Sequence, residues 1–98
     1  MPVLPHGLYG IIVSHHASIG HDCTIFHQVT IGEARPGAGA PQIGDHVRIG
    51  AGAKLLGPIK IGNHVRIGAN CVVTQDIPDG ASVRAPEGIV RIHIEKAE

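Results

Sequence analysis

Apolar residues recur along this chain with a period of six, which is neither the 3.6 of a helix nor the 2 of a plain strand. Within each unit a small or branched residue stands two positions before an aliphatic one, so the two share one face of a short strand. Gly often follows the aliphatic residue, and the unit is small-x-aliphatic-Gly-x-x. The aliphatic positions are Val13, Ile19, Ile25, Ile31, Ile43, Ile49, Leu55, Ile61, Ile67 and Val73, and the small or branched positions are Ala17, Cys23, Val29, Val47, Ala53, Ile59, Val65 and Cys71.

One such unit cannot bury its apolar face alone, so the repeat predicts short strands stacked in coils around a continuous aliphatic core. The step from Ile31 to Ile43 is twelve residues instead of six. If three units make one coil, the six surplus residues leave it as a loop, which we place at about residues 33–41. Long loops on rigid scaffolds commonly carry binding groups.

Composition narrows the class of protein. The 98 residues are 43% hydrophobic but only 2% aromatic, and 14 Gly and 7 Pro predict many tight turns. Eight Lys and Arg balance eight Asp and Glu, which argues against a nucleic-acid or membrane partner. The chain has no apolar run of about 18 residues and no signal-peptide pattern at its start. We therefore expect a soluble, cytoplasmic protein with small-molecule partners.

Four segments carry a resemblance to a known family: PHGLYGIIVS (Pro5 to Ser14), CTIFHQVTIG (Cys23 to Gly32), IGAGAKLLGPIKIG (Ile49 to Gly62) and IGANCVVTQDIPDGA (Ile67 to Ala81). The chain resembles the hexapeptide-repeat acyltransferases, and above all the serine O-acetyltransferases and related sugar or capsule O-acetyltransferases. The resemblance covers residues 10–78. It implies an all-β fold, a left-handed parallel β-helix with three strands in each triangular coil.

The expected organisation is a single domain, residues 1–98. Residues 1–12 form a lead-in that contains a His motif, residues 13–78 form the hexapeptide repeats, and residues 79–98 form a C-terminal tail. The tail alternates apolar and polar residues like a strand, which caps the open end of the helix or pairs with a neighbour. Serine acetyltransferases carry a helical N-terminal domain that this sequence lacks, so we expect a short family member or a truncated chain.

The resemblance implies transfer of an acetyl group from acetyl-CoA to a hydroxyl of a small acceptor, either serine or a sugar. Such a reaction needs a base, and His suits this because its pKa lies near neutrality. His6 lies in the segment that resembles the catalytic-His motif, and His27 is a second candidate. The family's second His falls at Ala40, and the Asp that precedes the catalytic His is Pro5 here. These departures leave serine and a sugar as equal contenders.

The resemblance also implies where the acetyl donor binds. In the family the pantetheine arm of CoA runs along the coils near a junction of two subunits, and Ala51, Ala69 and Thr74 occupy the contacting positions. Lys54 could neutralise a CoA phosphate, although a plain solvent-facing lysine is the alternative. The family's Arg near position 88 is Gly88, so Arg91 is its one possible substitute. We expect a homotrimer with its sites at the subunit junctions.

The coil period also predicts which polar residues stack. When the six surplus loop residues are subtracted, His15 lies over Glu33 and His21 over Asp45. Asp22, His46 and His64 then share a column. Arg48 stacks on Arg66, and because like charges about 5 Å apart repel, this pair either splays into solvent, as we expect, or faces an anion. Cys23 and Cys71 stand at buried repeat positions and are expected to be reduced structural thiols.

Two other functions remain open. The segment IGHDCTIFHQVTIG resembles the two-His segment of γ-class carbonic anhydrases, which bind zinc between subunits. That motif spaces its histidines by five residues, whereas His21 and His27 are six apart and no third ligand is evident; we therefore expect no metal. The second alternative is a noncatalytic trimeric scaffold, because Ala40 and Gly88 replace expected functional residues.

Overall fold

The chain folds into short strands and turns. The structure, a computed structural model, describes residues 11–84 and the backbone of residues 91–94. The strands are β1 (Ile12–Val13), β2 (Ser18–Ile19), β3 (Thr24–Ile25), β4 (Thr30–Gly32), β5 (Gln42–Ile43), β6 (Arg48–Ile49), β7 (Lys54–Leu56), β8 (Lys60–Ile61), β9 (Arg66–Ile67), β10 (Val72–Val73), β11 (Ala81–Arg84) and β12 (Arg91–Ile94). Within the described residues no helix is long and apolar enough to span a membrane.

The strands form three sheets, and successive strands along the chain move from one sheet to the next. Sheet 1 has the order β1-β4-β7-β10, sheet 2 the order β2-β5-β8, and sheet 3 the order β12-β11-β9-β6-β3. All pairs are parallel except β11 with β12. This repeating order is that of the left-handed parallel β-helix predicted from the sequence. The loop at residues 33–41 joins β4 to β5, as predicted.

The core is an aliphatic column enclosed by the three sheets. Every repeat position from Cys23 to Val73 is buried, as are Ile77, Ala81 and Val83 in the last coil. Each buried Val, Leu or Ile side chain contributes about 1.5–3 kcal/mol by leaving water. The first coil differs, because no described residue stacks on its outer side. Val13 is therefore 42% exposed although it occupies a repeat position.

The second turn residue in many units has a left-handed backbone. Asp22, Gln28, His46, His64 and Asn70 have φ between 57° and 62°. Asp, Asn and His tolerate this conformation better than most other residue types, because a short polar side chain can bond to the nearby backbone. The turn geometry thus accounts for His46 and His64 without a functional role.

One corner of the helix, between sheets 2 and 3, is held by a ladder of side-chain acceptors. Oδ1 of Asp45 accepts a hydrogen bond from the His21 N–H at 2.8 Å, and Oδ1 of Asn63 accepts one from the Asp45 N–H at 2.7 Å. Oδ1 of Asp79 accepts from the Asn63 N–H, also at 2.7 Å. We call residues 20–22, 44–46, 62–64 and 78–80 the stapled corner.

Glycine is required at the stapled corner because the coils approach closely there. A Cβ added to Gly44 would lie 3.0 Å from the Gly62 carbonyl oxygen and closer still to Asn63 Oδ1. The predicted stacking of His21 over Asp45 is confirmed, through the His21 backbone rather than its ring.

The last coil is two residues shorter than the regular 18-residue coil. Arg48 and Arg66 pair 18 residues apart, whereas Arg66 pairs with Ser82 and Ile61 bridges to Ile77, both 16 residues apart. The shortening falls between Val73 and Ile77. Asp76 compensates for it, because its Oδ1 accepts a hydrogen bond from the Lys60 N–H at 2.9 Å.

The strand-like tail predicted from the sequence forms β12. Its backbone pairs antiparallel with β11 in the register Ala81 with Ile94 and Arg84 with Arg91. The strand β12 therefore covers the edge of sheet 3 that would otherwise end at β11. The sequence predicts that the tail caps the open end of the helix or pairs with a neighbour, and the observed strand pairs with β11 of its own chain.

Candidate functional site

The corner between sheets 3 and 1 stacks three of the residues predicted to form the site. The Gly52 N–H donates to the His27 carbonyl at 3.0 Å, and the Asn70 N–H donates to the Ala51 carbonyl at 2.9 Å. His27, Ala51 and Ala69 therefore occupy equivalent positions in successive coils. We call residues 27–28, 51–52 and 69–70 the open corner. The name reflects the small side chains of Ala51 and Ala69 and the absence of one at Gly52.

Lys54 lies next to the open corner. Its exposed side chain bends back so that Nζ donates to the Gly52 carbonyl at 3.4 Å. Thr74 is exposed but lies elsewhere, because it follows β10 at the far end of the strands of sheet 1. Within one chain the structure brings together His27, Ala51, Lys54 and Ala69, and leaves Thr74 apart.

A groove of about 440 Å³ lies on the outer face of sheet 3, beside the open corner. Its charged walls are Arg48, Arg66 and Arg84, and Ala51 at the open corner also lines it. The Arg48 guanidinium carbon lies 5.2 Å from the centroid of the Phe26 ring, a cation–π distance. The predicted stacking of Arg48 on Arg66 is confirmed, and both side chains are exposed. We call this feature the arginine groove.

A second groove, of about 250 Å³, lies under the loop at residues 33–41. We call it the loop groove, and it is lined by His16, Gly39, Ala40, Gln42, Pro58, Ile59 and Lys60. Ala40, which stands where the family's second His is expected, thus lies in a groove that an imidazole from the first coil also lines.

The register that pairs Val13 with Ile31 places His15 over Glu33, as predicted, but the side-chain contact of Glu33 is with the next residue. His16, not His15, pairs with Glu33, with 3.7 Å between Nδ1 and Oε1. His15 and His16 are adjacent turn residues, and coil register alone does not decide which ring points toward the loop. Glu33 also accepts a hydrogen bond from the Gly39 N–H at 3.3 Å, so the same carboxylate ties the loop to its base. The repeat pattern did not indicate His16 as a site residue.

The remaining histidines lie apart from these grooves. The His46 and His64 rings stack with centroids 4.8 Å apart, and His46 Nδ1 lies 4.0 Å from Asp22 Oδ2, so the predicted column is confirmed. His21 belongs to the stapled corner and His27 to the open corner, so the two do not converge within one chain. Among residues 11–84 no three His, Cys, Asp or Glu side chains gather as a metal site. His6, Pro5 and Gly88 lie outside the described residues.

Both cysteines are buried free thiols, as predicted. Burial raises the pKa of the Cys23 thiol above its usual range, and Cys23 Sγ lies 3.1 Å from the Gly44 carbonyl oxygen. Burial also raises the pKa of the Cys71 thiol, whose Sγ lies 3.6 Å from the Val83 carbonyl oxygen. Because the thiolate is the reactive form, neither side chain is a nucleophile near neutral pH.

Comparison with known proteins matches this geometry to a family. The bacterial transferase hexapeptide family (six repeats) matches residues 40–75. The serine acetyltransferase of Mycobacterium tuberculosis is 48% identical over 83 residues, which is 83% of this chain and 36% of that protein.

Solved structures agree with the sequence match. The serine acetyltransferase of Neisseria gonorrhoeae in complex with serine has a TM-score of 0.80 at 38% identity, and the match covers 88% of this chain and 35% of that one. A serine acetyltransferase in complex with CoA has a TM-score of 0.81 at 35% identity, covering 93% and 36%. This chain spans less than half the length of these three proteins. Residues 40–75 thus match the repeats of the hexapeptide transferase family, and the β-helix of this chain is similar to that of the serine acetyltransferases.

Proposed function

We propose that this chain transfers an acetyl group from acetyl-CoA to a hydroxyl of a small acceptor. The observation that carries the proposal is the open corner, where Ala51 and Ala69 present small side chains in successive coils beside a groove. A long, thin donor that runs against the backbone needs such small side chains and accessible peptide groups. A similar β-helix has been solved with CoA bound, which supports the same ligand here.

The donor site would consist of Ala51, Ala69 and Lys54 on one subunit, with the Lys54 ammonium as a counter-charge near Gly52. Thr74 lies a strand away from this column. It would contact the same donor if the donor crosses sheet 1, or if Thr74 of a second subunit faces the open corner. The second arrangement fits the homotrimer that we propose, in which each site lies at a junction of two subunits.

The acceptor hydroxyl needs a base. We propose that His6 takes the hydroxyl proton as the oxygen attacks the thioester carbonyl, and that the protonated imidazole then returns a proton to the departing CoA thiolate. His27 is the second candidate for this role, because it lies in the same column as Ala51. The loop groove, with His16, Gln42 and Lys60, is our candidate for the acceptor side.

The acceptor is proposed to be serine or a sugar hydroxyl. A similar protein from Neisseria gonorrhoeae has been solved in complex with serine, which supports serine as one candidate. Ala40 and Pro5 replace residues expected for serine, which keeps a sugar as an equal candidate. The cytoplasmic location and the absence of metal and of nucleic-acid partners stay predictions from the sequence.

An acetyl-transfer assay tests the proposal. The release of CoA thiol from acetyl-CoA, corrected for hydrolysis, is measured against serine and a panel of sugars. Acceptor-dependent release is expected with at least one of them, and we expect it to fall by about 10²-fold or more in His6→Ala, the usual contribution of a general base. His64→Ala is the control, because His64 lies in a surface stack outside both grooves. Hydrolysis alone with every acceptor, together with no thermal stabilisation by CoA, would instead favour the noncatalytic scaffold.

A further inference from the structure

We propose that the arginine groove is a binding site for a phosphoryl group, with Arg48, Arg66 and Arg84 as its ligands. This inference rests in part on the proposed function, because the nucleotide end of acetyl-CoA is one source of such a group. Free inorganic phosphate is the other source. The chemistry that recognises either one is the same.

The groove is built by two rows of side chains on the outer face of sheet 3. One row contains Arg48, Arg66 and Ser82, which are consecutive partners across β6, β9 and β11. The next row is formed by Phe26, two glycines and Arg84. Because Gly50 and Gly68 carry no side chain, this row has a gap in its middle.

Spacing sets the size of the ligand that fits. Neighbouring coils are about 4.8 Å apart, so Phe26 and Arg84 stand about 14 Å apart at the two ends of their row. The gap between them is bounded on its long side by the Arg48 and Arg66 side chains. A space of this length admits one or two phosphoryl groups but not a folded partner.

The charges in the groove have one sign. Three guanidinium groups line it, and no carboxylate is among the described residues that do so. Arg48 and Arg66 stack directly on adjacent strands, and such a pair repels unless the side chains splay into solvent or an anion lies between them.

Arginine is suited to phosphate because its planar guanidinium offers paired N–H donors in a geometry that matches phosphate oxygens. Ser82, which also lines the groove, adds a hydroxyl donor in the row of Arg48 and Arg66. The Phe26 ring lies at a cation–π distance from the Arg48 guanidinium, and this contact restricts the orientation of the guanidinium. The site therefore combines charge, donors and partial pre-orientation.

The groove also touches the proposed donor site. Ala51 lines the arginine groove and at the same time belongs to the open corner. A CoA molecule whose pantetheine arm lies along the open corner would need only to turn onto sheet 3 to place its phosphates against the arginines. The arginines are thus binding residues and not catalytic ones.

Binding measurements with four probes separate the two sources of the phosphoryl group. We would titrate CoA, 3′-dephospho-CoA, pantetheine and inorganic phosphate into the wild-type chain and into the triple variant Arg48→Gln, Arg66→Gln, Arg84→Gln by calorimetry. The matched control is Arg35→Gln, because Arg35 is an exposed arginine on the loop, outside the groove. Circular dichroism and the thermal midpoint of each variant report whether it is folded.

We expect the triple variant to lose at least about tenfold in CoA affinity, as removal of charge-assisted hydrogen bonds does, and to keep its affinity for pantetheine. Arg35→Gln should bind like the wild type. Competition between phosphate and CoA would assign the groove to the nucleotide end of the donor.

Two results separate failure of the groove from failure of the proposed function. If CoA binds the wild type and the folded triple variant equally, the groove proposal is wrong and the donor proposal stands. If phosphate binds in an arginine-dependent manner while no CoA form binds, the groove stands and the donor proposal is wrong. If neither phosphate nor any CoA form binds, the groove proposal is also overturned. Should the triple variant fail to fold, the three single variants replace it, with about a twofold or larger loss of CoA affinity expected for each.

Discussion

Two corners of this β-helix have the same backbone turn but different surfaces. At the stapled corner, the side chains of Asp45, Asn63 and Asp79 each bond to the coil before them. At the open corner, the positions equivalent to Asp45 and Asn63 are Ala51 and Ala69, and backbone hydrogen bonds such as that from Gly52 to His27 join the coils. The first corner satisfies its exposed N–H groups internally, whereas the second leaves room for a ligand over its small side chains.

The difference shows how a regular solenoid separates stability from binding. Every coil needs a turn at each corner, but only one side-chain ladder is needed to fix the register of neighbouring coils. A corner relieved of that task can carry Ala at the ladder position, as at Ala51 and Ala69, which allows a ligand to approach the backbone closely. We therefore expect substitutions at the stapled corner to change folding, and substitutions at the open corner to change binding.

The largest effect is expected for Gly44→Ala at the stapled corner. The added Cβ would collide with the Gly62 carbonyl and the Asn63 side chain, and overpacking of this kind costs about 3 kcal/mol. Gly32→Ala is the matched control, because no atom lies within 4 Å of its added Cβ. Denaturant unfolding measures both. Equal unfolding free energies for the two variants would contradict the close packing of the stapled corner.

A smaller loss is expected when one acceptor of the ladder is removed. Asp45→Ala deprives the His21 N–H of its partner at 2.8 Å, which should cost about 1–2 kcal/mol, as loss of a similar helix-capping acceptor does. Asp45→Asn keeps an acceptor oxygen at this position, and the amide oxygen of Asn63 already serves as the acceptor at the equivalent position of the next coil. Unfolding curves of both variants decide the matter, and a loss in Asp45→Asn as large as in Asp45→Ala would mean that charge, not the hydrogen bond, matters.

At the open corner we expect binding to change instead of stability. Ala69→Leu places a larger side chain on an exposed turn and should leave the unfolding free energy within about 0.5 kcal/mol of the wild type. Its CoA affinity should fall about tenfold, which is about 1.4 kcal/mol. Ala38→Leu, on the exposed loop, is the control. Unchanged CoA affinity in Ala69→Leu would remove the open corner from the donor site.

The smallest effect concerns the two buried thiols. Because burial raises the pKa of Cys23 and of Cys71, the unfolded chain releases these protons at a lower pH than the folded chain does. The contribution of the two protonated thiols to the free energy of unfolding is fully present below the ordinary thiol pKa and decreases as the pH rises above it. The unfolding midpoint should therefore decrease between about pH 8 and pH 10.

The double variant Cys23→Ala, Cys71→Ala is the control, and part of the decrease in unfolding midpoint at alkaline pH should be absent from it.

Labelling of the folded wild type with a thiol reagent compares the two corners directly, since Cys23 follows the stapled corner and Cys71 the open one. Equal, slow labelling is expected. Much faster labelling of Cys71 would mean that the open corner exposes the core as well as the backbone.

The fold could be predicted because the six-residue period fixes both the strand face and the stacking distance. The loop at 33–41 followed from arithmetic on Ile31 and Ile43. The shortened last coil could not be predicted from the repeat. There the Asp76 side chain accepts the Lys60 N–H hydrogen bond, and no local sequence pattern indicates this contact. Continued stacking at 18 residues would place Arg84 over Arg66, whereas the observed register puts Ser82 there and moves Arg84 into the next row.

The site was less predictable than the fold. Stacking of His27, Ala51 and Ala69 follows from the coil period, so the open corner could be assembled from the sequence. The contact of His16 with Glu33 could not be predicted, because the coil register places His15 over Glu33 and side-chain direction, which the register does not set, brings the neighbouring ring to the carboxylate. The arginine groove depended on the shortened coil and on the gap left by two glycines, and only the pairing of Arg48 with Arg66 was visible beforehand.

The most direct test of the two-corner account is a titration of the ¹⁵N-labelled chain with CoA, followed by amide chemical shifts. The account predicts shifts at the open corner, at Ala51, Gly52, Ala69 and Asn70, and along the arginine groove. Amides of the stapled corner, at His21, Asp45 and Asn63, should not move. Shifts confined to the stapled corner, or no shifts at saturating CoA, would contradict the account.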